Sequence, residues 1–226
     1  MTRTTNARLA GFMFLFYIAT AYTEMVLFGQ ASSGQGAAAR LASIAQHAPL
    51  VRVTAVLVFL TFVDAVVLAV ALNGLTRDQD RDLAVLALSC RVSEGVIAAM
   101  AATLKMGLLS VAMASVAAAA PDAAAAQALG ALLLKEGSSS TLIGATCFAI
   151  GSTIFAYLFL RARSIPVWLA WIGVLGSALL VVGLPLQLAG FLGGPVSDVM
   201  WIPVAVFEVV LGFWLLIKGV AGQATR

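Results

Sequence analysis

Apolar residues run along this chain in blocks, and the polar residues collect between them. The blocks at 9–28, 53–75, 83–104, 138–160, 166–188 and 200–217 are each long enough to cross a hydrocarbon core of roughly 30 Å at about 1.5 Å per residue. Backbone groups cannot stay unpaired in lipid, so each block predicts an α-helix. None shows the short alternating segments of a membrane barrel. The expectation is an all-α, polytopic membrane protein with six transmembrane helices in a single domain over 1–226.

Two stretches fall outside the predicted spans, 30–52 and 115–137. In the second, Pro121 and Asp122 precede AAAAQALGALLLK. Proline suits a first helical turn, aspartate suits the positive end of the helix dipole, and alanine is the best helix former, so a helix is expected to begin near Pro121. Pro185 and Pro203 are expected to end and start helices at the last interhelical loop. Asp78, Asp80 and Asp82, interleaved with Arg77 and Arg81, read as a solvated turn capping the third span. The Gly144/Gly151 and Gly173/Gly176 spacings suit close helix approach.

Composition agrees with the pattern: 62% of residues are hydrophobic, 10% are charged, and the mean hydropathy is +1.05. A soluble domain is closer to one quarter charged. Arg3, Arg8, Arg77, Arg81, Arg161, Arg163, Lys218 and Arg226 lie at one set of helix ends, against Arg40, Arg52 and Lys135 at the other. This asymmetry predicts that both termini face the cytoplasm. The four tryptophans, Trp168, Trp171, Trp201 and Trp214, fall near predicted span ends, where an aromatic belt belongs. Positive-inside loops account for the net charge of +3, so no nucleic-acid partner is implied. Two cysteines, Cys90 and Cys147, and one histidine, His47, support neither a disulfide framework nor a metal centre, and no cofactor is expected. The first apolar block carries Glu24 and is longer than a signal-peptide core, so it reads as a retained helix.

Four carboxyls nevertheless fall inside the spans: Glu24, Asp64, Glu94 and Glu208. Asp64 and Glu94 lie ~16 Å deep, near the bilayer centre, with Glu24 and Glu208 in its outer half. An ionised side chain at the centre costs at least ~2.5–3.5 kcal/mol, so each must face protein or water and find a partner. In the third span Arg91 and Glu94 are separated by about 60° around the helix, and Glu94 and Lys105 by about 20°, which puts all three on one inward face. Arg91 stays charged and can grip a carboxylate through two nitrogens, whereas Lys105, nearer the interface, is expected to snorkel away. One arginine cannot balance four acids. At least two of them are therefore expected to be protonated or solvated. The bland alternative is a packing clasp of Arg91 with Glu94 and one more acid, the others bonding to neighbours such as Thr20, Thr61 or Tyr22.

Several stretches together resemble DUF4386, an uncharacterised family of bacterial integral membrane proteins. They are ARLAGFMFLFYI with Glu24, Asp64 followed by a polar turn and LAVLAL, RVSE at 91–94, RARSIPVWLAWIGVLG, and FEVVLGFWLLIKG. The resemblance implies a compact helical domain in the bacterial inner membrane and supplies no reaction. Members of that family often carry a histidine in the fourth span; SSSTLIGATCFAIGSTIF has none, so the resemblance implies no chemistry that needs it.

Nucleophile elbow, HExxH, P-loop and retinal-lysine patterns are all missing, which disfavours protease, zinc hydrolase, ATPase and photoreceptor functions. The leading expectation is an enzyme that uses Glu94 or Asp64 as acid on an apolar, isoprenoid- or lipid-like substrate, in a cyclisation or isomerisation like those of membrane terpene cyclases. Arg91 would set the difference between the acids. Glu24 and Glu208 would line the outer part of the cavity, with Thr61 and Tyr22 contacting substrate. A small proton-coupled transporter or proton-responsive binder is the alternative, and a structural or assembly subunit the third reading. In each case membrane lipids are the surrounding partner.

Overall fold

The computed structural model describes residues 2–117 and 120–221, with side chains omitted at 120 and 121. Arg226, counted above among the basic ends, lies outside the described residues. Eight helices follow one another along the chain: α1 (Arg3–Ala31), α2 (Gly36–Gln46), α3 (Ala48–Thr76), α4 (Arg81–Ala117), α5 (Ala120–Ala162), α6 (Val167–Leu188), α7 (Pro195–Val199) and α8 (Ile202–Ile217). There is no strand among the described residues. Six segments are long and apolar enough to cross a membrane: α1, α3, α4, α5, α6, and α7 taken with α8. This is a multi-pass, all-α membrane protein.

The helices run further than the apolar blocks. The third and fourth spans were expected at 83–104 and 138–160 with a separate segment between them. Instead, α4 has 37 residues and α5 has 43, about 55 and 65 Å at 1.5 Å per residue, against the roughly 30 Å that a crossing requires. The helix expected near Pro121 exists but is continuous with the fourth span. The polar run at 138–141 does not interrupt it. Ser138, Ser139 and Thr141 donate to the carbonyls of Leu134, Lys135 and Gly137, four residues back, so their hydroxyls are satisfied within the helix. The stretch 30–52 also holds more helix than a loop would: α2 lies within it and α3 begins at Ala48. Gly34, at φ +121°, makes the break between α1 and α2.

The described residues fall into two compact units, and α1, α3, α4 and α5 each contribute chain to both. The first comprises 2–18, 63–95 and 142–221. Its main core gathers Ala7, Ala10 and Phe14 of α1, Leu68 and Leu72 of α3, Phe155 and Phe159 of α5, Leu169 of α6, and Phe207 and Leu211 of α8. Small residues let helices close in. A Cβ on Gly173 would strike the Phe207 ring, and one on Gly176 would meet Pro203 and Val204, so α6 and α8 pack at short range. Pro203 sits in the first turn of α8, while Pro185 lies inside the last turn of α6. Asp80 caps α4 by accepting from the Leu83 amide at 3.1 Å.

The second unit comprises 19–62, 96–117 and 120–141. Leu41 and Ile44 of α2 are its buried centre, packed with Val51 of α3, Leu108 and Leu109 of α4, and Leu133 and Leu134 of α5.

Candidate functional site

In the first unit, the i,i+3 spacing on α4 brings Arg91 and Glu94 to one face, and their charges meet: Arg91 Nη1 lies 3.0 Å from Glu94 Oε2. Arg91 is 1% exposed, the largest fully buried side chain among the described residues. Its stem passes Gly151 of α5, where a Cβ would stand 2.9 Å from Arg91 Cγ and 3.1 Å from the Ala87 carbonyl. Its guanidinium lies over two aromatic rings, 4.7 Å from the Phe148 centroid and 5.3 Å from that of Tyr17, an arrangement that offsets part of the cost of burying the cation. Tyr17 of α1 in turn donates its hydroxyl to Glu94 Oε1 at 2.5 Å. Glu94 is thus held on both oxygens.

Two further carboxyls share the guanidinium's field. Arg91 interacts electrostatically with Glu94, Tyr17, Glu208 and Asp64. Asp64 of α3 is 2% exposed and Glu208 of α8 is 6% exposed. Neither oxygen of Asp64, nor Oε1 of Glu208, has a hydrogen-bond partner among the described residues. One cation therefore faces three buried carboxyls, of which it pairs closely with one.

The other expected site residues lie in the second unit. Glu24 is paired with Lys105 at 2.8 Å, and the ammonium stands 3.4 Å from the Phe28 ring centroid. Lys105 does not snorkel away: a carboxylate and a ring face are within reach of its stem, and together they hold it. Glu24 thereby has a cation of its own. Thr61 donates to the Leu57 carbonyl at 2.9 Å and lies 3.5 Å from the Thr20 hydroxyl. Tyr22 is 64% exposed. It lies about 140° around α1 from Tyr17, so the two tyrosines cannot serve one face.

Tyr17 and Phe148 went unnoticed in the sequence. For Tyr17 a signal existed: Ala7, Ala10, Phe14 and Tyr17 follow a three-four spacing along the inward stripe of α1. Phe148 had none, because an arginine's ring partners depend on helix pairing; Gly151 was read as a site of close helix approach, and the structure adds that the Arg91 stem passes there. Among the described residues no three His, Cys, Asp or Glu side chains are placed to hold a metal ion.

Comparison with curated proteins and with solved structures gives no match. The family described as "Domain of unknown function (DUF4386)" matches residues 9–219, nearly the whole length on which α1 to α8 and the Arg91 cluster are built, and the chain belongs to that family.

Proposed function

We propose that this protein is an intramembrane enzyme of the bacterial cytoplasmic membrane, its termini on the cytoplasmic side, that protonates an apolar isoprenoid- or lipid-like substrate from a buried carboxylic acid. One observation carries the reading: three buried carboxyls lie within the electrostatic reach of a single guanidinium that pairs closely with one of them, and Asp64 has no hydrogen-bond partner among the described residues. Glu94, which receives both the Arg91 charge and the Tyr17 hydroxyl, is the anion of the group. Charge balance then leaves Asp64 and Glu208 as neutral acids, since ionising either without a counter-ion costs at least ~2.5–3.5 kcal/mol at membrane depth.

A neutral acid of this kind donates a proton to an alkene carbon: a C–H bond forms, the O–H bond breaks, and the Asp64 carboxylate so produced is stabilised by Arg91. Loss of a proton from a neighbouring carbon to the Asp64 carboxylate completes an isomerisation and restores the neutral acid; attack of an internal double bond on the cation before that loss completes a cyclisation. The test is deuterium incorporation from deuterium oxide into isoprenoid alkenes by the purified protein. Incorporation that disappears in Asp64→Asn, with the protein still folded, supports the proposal. Equal incorporation by the variant, or none by the wild type, overturns it.

The second reading, a small proton-coupled transporter or proton-responsive binder, draws on the placement of Asp64 and Glu208 on separate helices, α3 and α8. Two acids beside one cation on different helices suit loading and release of H⁺. It requires uptake or binding that follows an imposed pH gradient in vesicles.

A further inference from the structure

The turn between α5 and α6 faces the end of α8 across a groove of about 380 Å³, lined by Arg163, Ser164, Pro166, Trp214, Lys218 and Gly219 among others. Arg163 and Lys218 are cations, and no residue lining the groove is acidic. Arg163 occupies an unusual conformation. Its φ of +49° makes it the single non-glycine residue in the left-handed region among the described residues. The amides of Arg163 and Ser164 donate to the Leu160 and Phe159 carbonyls, the pattern that closes a helix with a left-handed residue and normally selects glycine or asparagine there. An arginine in that position strains the backbone, and strained residues mark places where the side chain is needed.

The opposite wall is fixed as well. Gly219, at φ +71°, closes α8 by donating to the Trp214 carbonyl, and the Ala221 amide donates to the Ser164 carbonyl at 2.9 Å, which ties the two walls together. Beneath them the Ser164 hydroxyl, in a residue 3% exposed, has no hydrogen-bond partner among the described residues. Pro166, which lines the groove, is the N-cap of α6, and no side chain caps that helix end, a position that favours an anion. Trp214 lines the groove, and Trp168 and Trp171 stand exposed in the first two turns of α6, the residue type that settles at the headgroup level of a bilayer.

We infer that this groove binds a phosphate-bearing anion, and that its source is the headgroup of an anionic phospholipid. Arg163 and Lys218 grip the phosphate from the two walls, and the tryptophans hold the glycerol end of the lipid at the interface.

The experiment titrates phosphatidylglycerol into the purified full chain in neutral detergent and follows the rise in thermal midpoint, with phosphatidylcholine and inorganic phosphate in parallel. The proposal expects a saturable rise with phosphatidylglycerol alone. Lys218→Gln and Arg163→Gly should each weaken apparent affinity about fivefold, the weight of one cation near an anionic surface. Arg163→Gly also relieves the strained turn, so without lipid its midpoint should equal or exceed that of the wild type, and loss of the lipid response cannot be misfolding. Arg52→Gln, an exposed cation in the second unit, should respond as the wild type does. Equal weakening by Arg52→Gln, unchanged affinity in both groove variants, or the same rise with inorganic phosphate would overturn the proposal.

Discussion

Tyr17 and Arg91 hold the same carboxyl from different helices: the phenol donates to Glu94 Oε1 at 2.5 Å while the guanidinium stands 3.0 Å from Oε2. The two grips are unequal in what their loss leaves behind. Tyr17→Phe removes one donor and keeps the charge pair but leaves Glu94 Oε1 unpartnered in a buried site, so it should cost about 1.5–3 kcal/mol, the worth of a hydrogen bond to a charged group. Glu94→Gln leaves a buried arginine without its anion, which costs about 3–5 kcal/mol. Thermal unfolding in detergent should place the variants in that order, and equal losses would mean that the guanidinium has another anion.

Asp64→Asn should behave oppositely to Glu94→Gln although both exchange a buried carboxyl for an amide. An amide is nearly isosteric with a neutral acid, so if Asp64 carries a proton the exchange leaves the charge of the site unchanged, and stability should hold within about 1 kcal/mol. The infrared band of protonated carboxylic acid should lose intensity in the same variant. Should Asp64→Asn instead destabilise the protein by the ~3–5 kcal/mol expected for breaking a buried pair, Asp64 is an anion and the proton-donor reading fails.

Arg91 and Lys105, both on α4, should differ in the same measurement. Lys105 and Glu24 are each partly exposed, with side chains 16% and 18% accessible, so after Lys105→Met the carboxylate can hydrate. The loss should be about 1 kcal/mol or less, in the range of exposed pairs. Arg91→Met strands Glu94 in a buried site and should cost several-fold more.

How much of this was legible in the sequence depends on the range of the interaction. Six apolar blocks announced six membrane helices because span length is a property of one segment and the bilayer. Arg91 and Glu94 could be placed on one face because i,i+3 geometry is local. Tyr17 against Tyr22 was also a local choice, and the stripe through Ala7, Ala10 and Phe14 would have decided it. The pairing of Lys105 with Glu24, by contrast, joins α4 to α1 across many residues of chain, and nothing local distinguishes it from a lysine reaching for the interface. The continuity of α5 through Lys135, Glu136 and Gly137 was missed for another reason: the apolar block begins only at 138, and the hydropathy that sets a block's edge does not set a helix's end.

Gly11 offers the sharpest test of packing in the first unit. A Cβ there would stand 2.6 Å from the Gly212 carbonyl oxygen and 2.7 Å from the Leu216 amide nitrogen, both backbone atoms of α8. Backbone cannot rotate out of the way, so Gly11→Ala must push α1 and α8 apart, at a cost of about 2–3 kcal/mol, the upper range for overpacking a tight core. Gly212→Ala meets the Leu15 side chain at 2.9 Å; that group can move, so the penalty should be smaller. Gly29→Ala, on the same helix as Gly11 but with nothing within 4 Å of the added atom, should gain about 0.5–1 kcal/mol of helix propensity. The order of thermal midpoints should therefore be Gly29→Ala, wild type, Gly212→Ala, Gly11→Ala. Because Glu208 lies one turn before Gly212 on α8, displacement of that helix should also move Glu208 from the Arg91 field, and Gly11→Ala should change the protonated-carboxyl infrared band where Gly29→Ala leaves it alone. An unchanged band in a destabilised Gly11→Ala would show that the crossing supports the fold without positioning the acid.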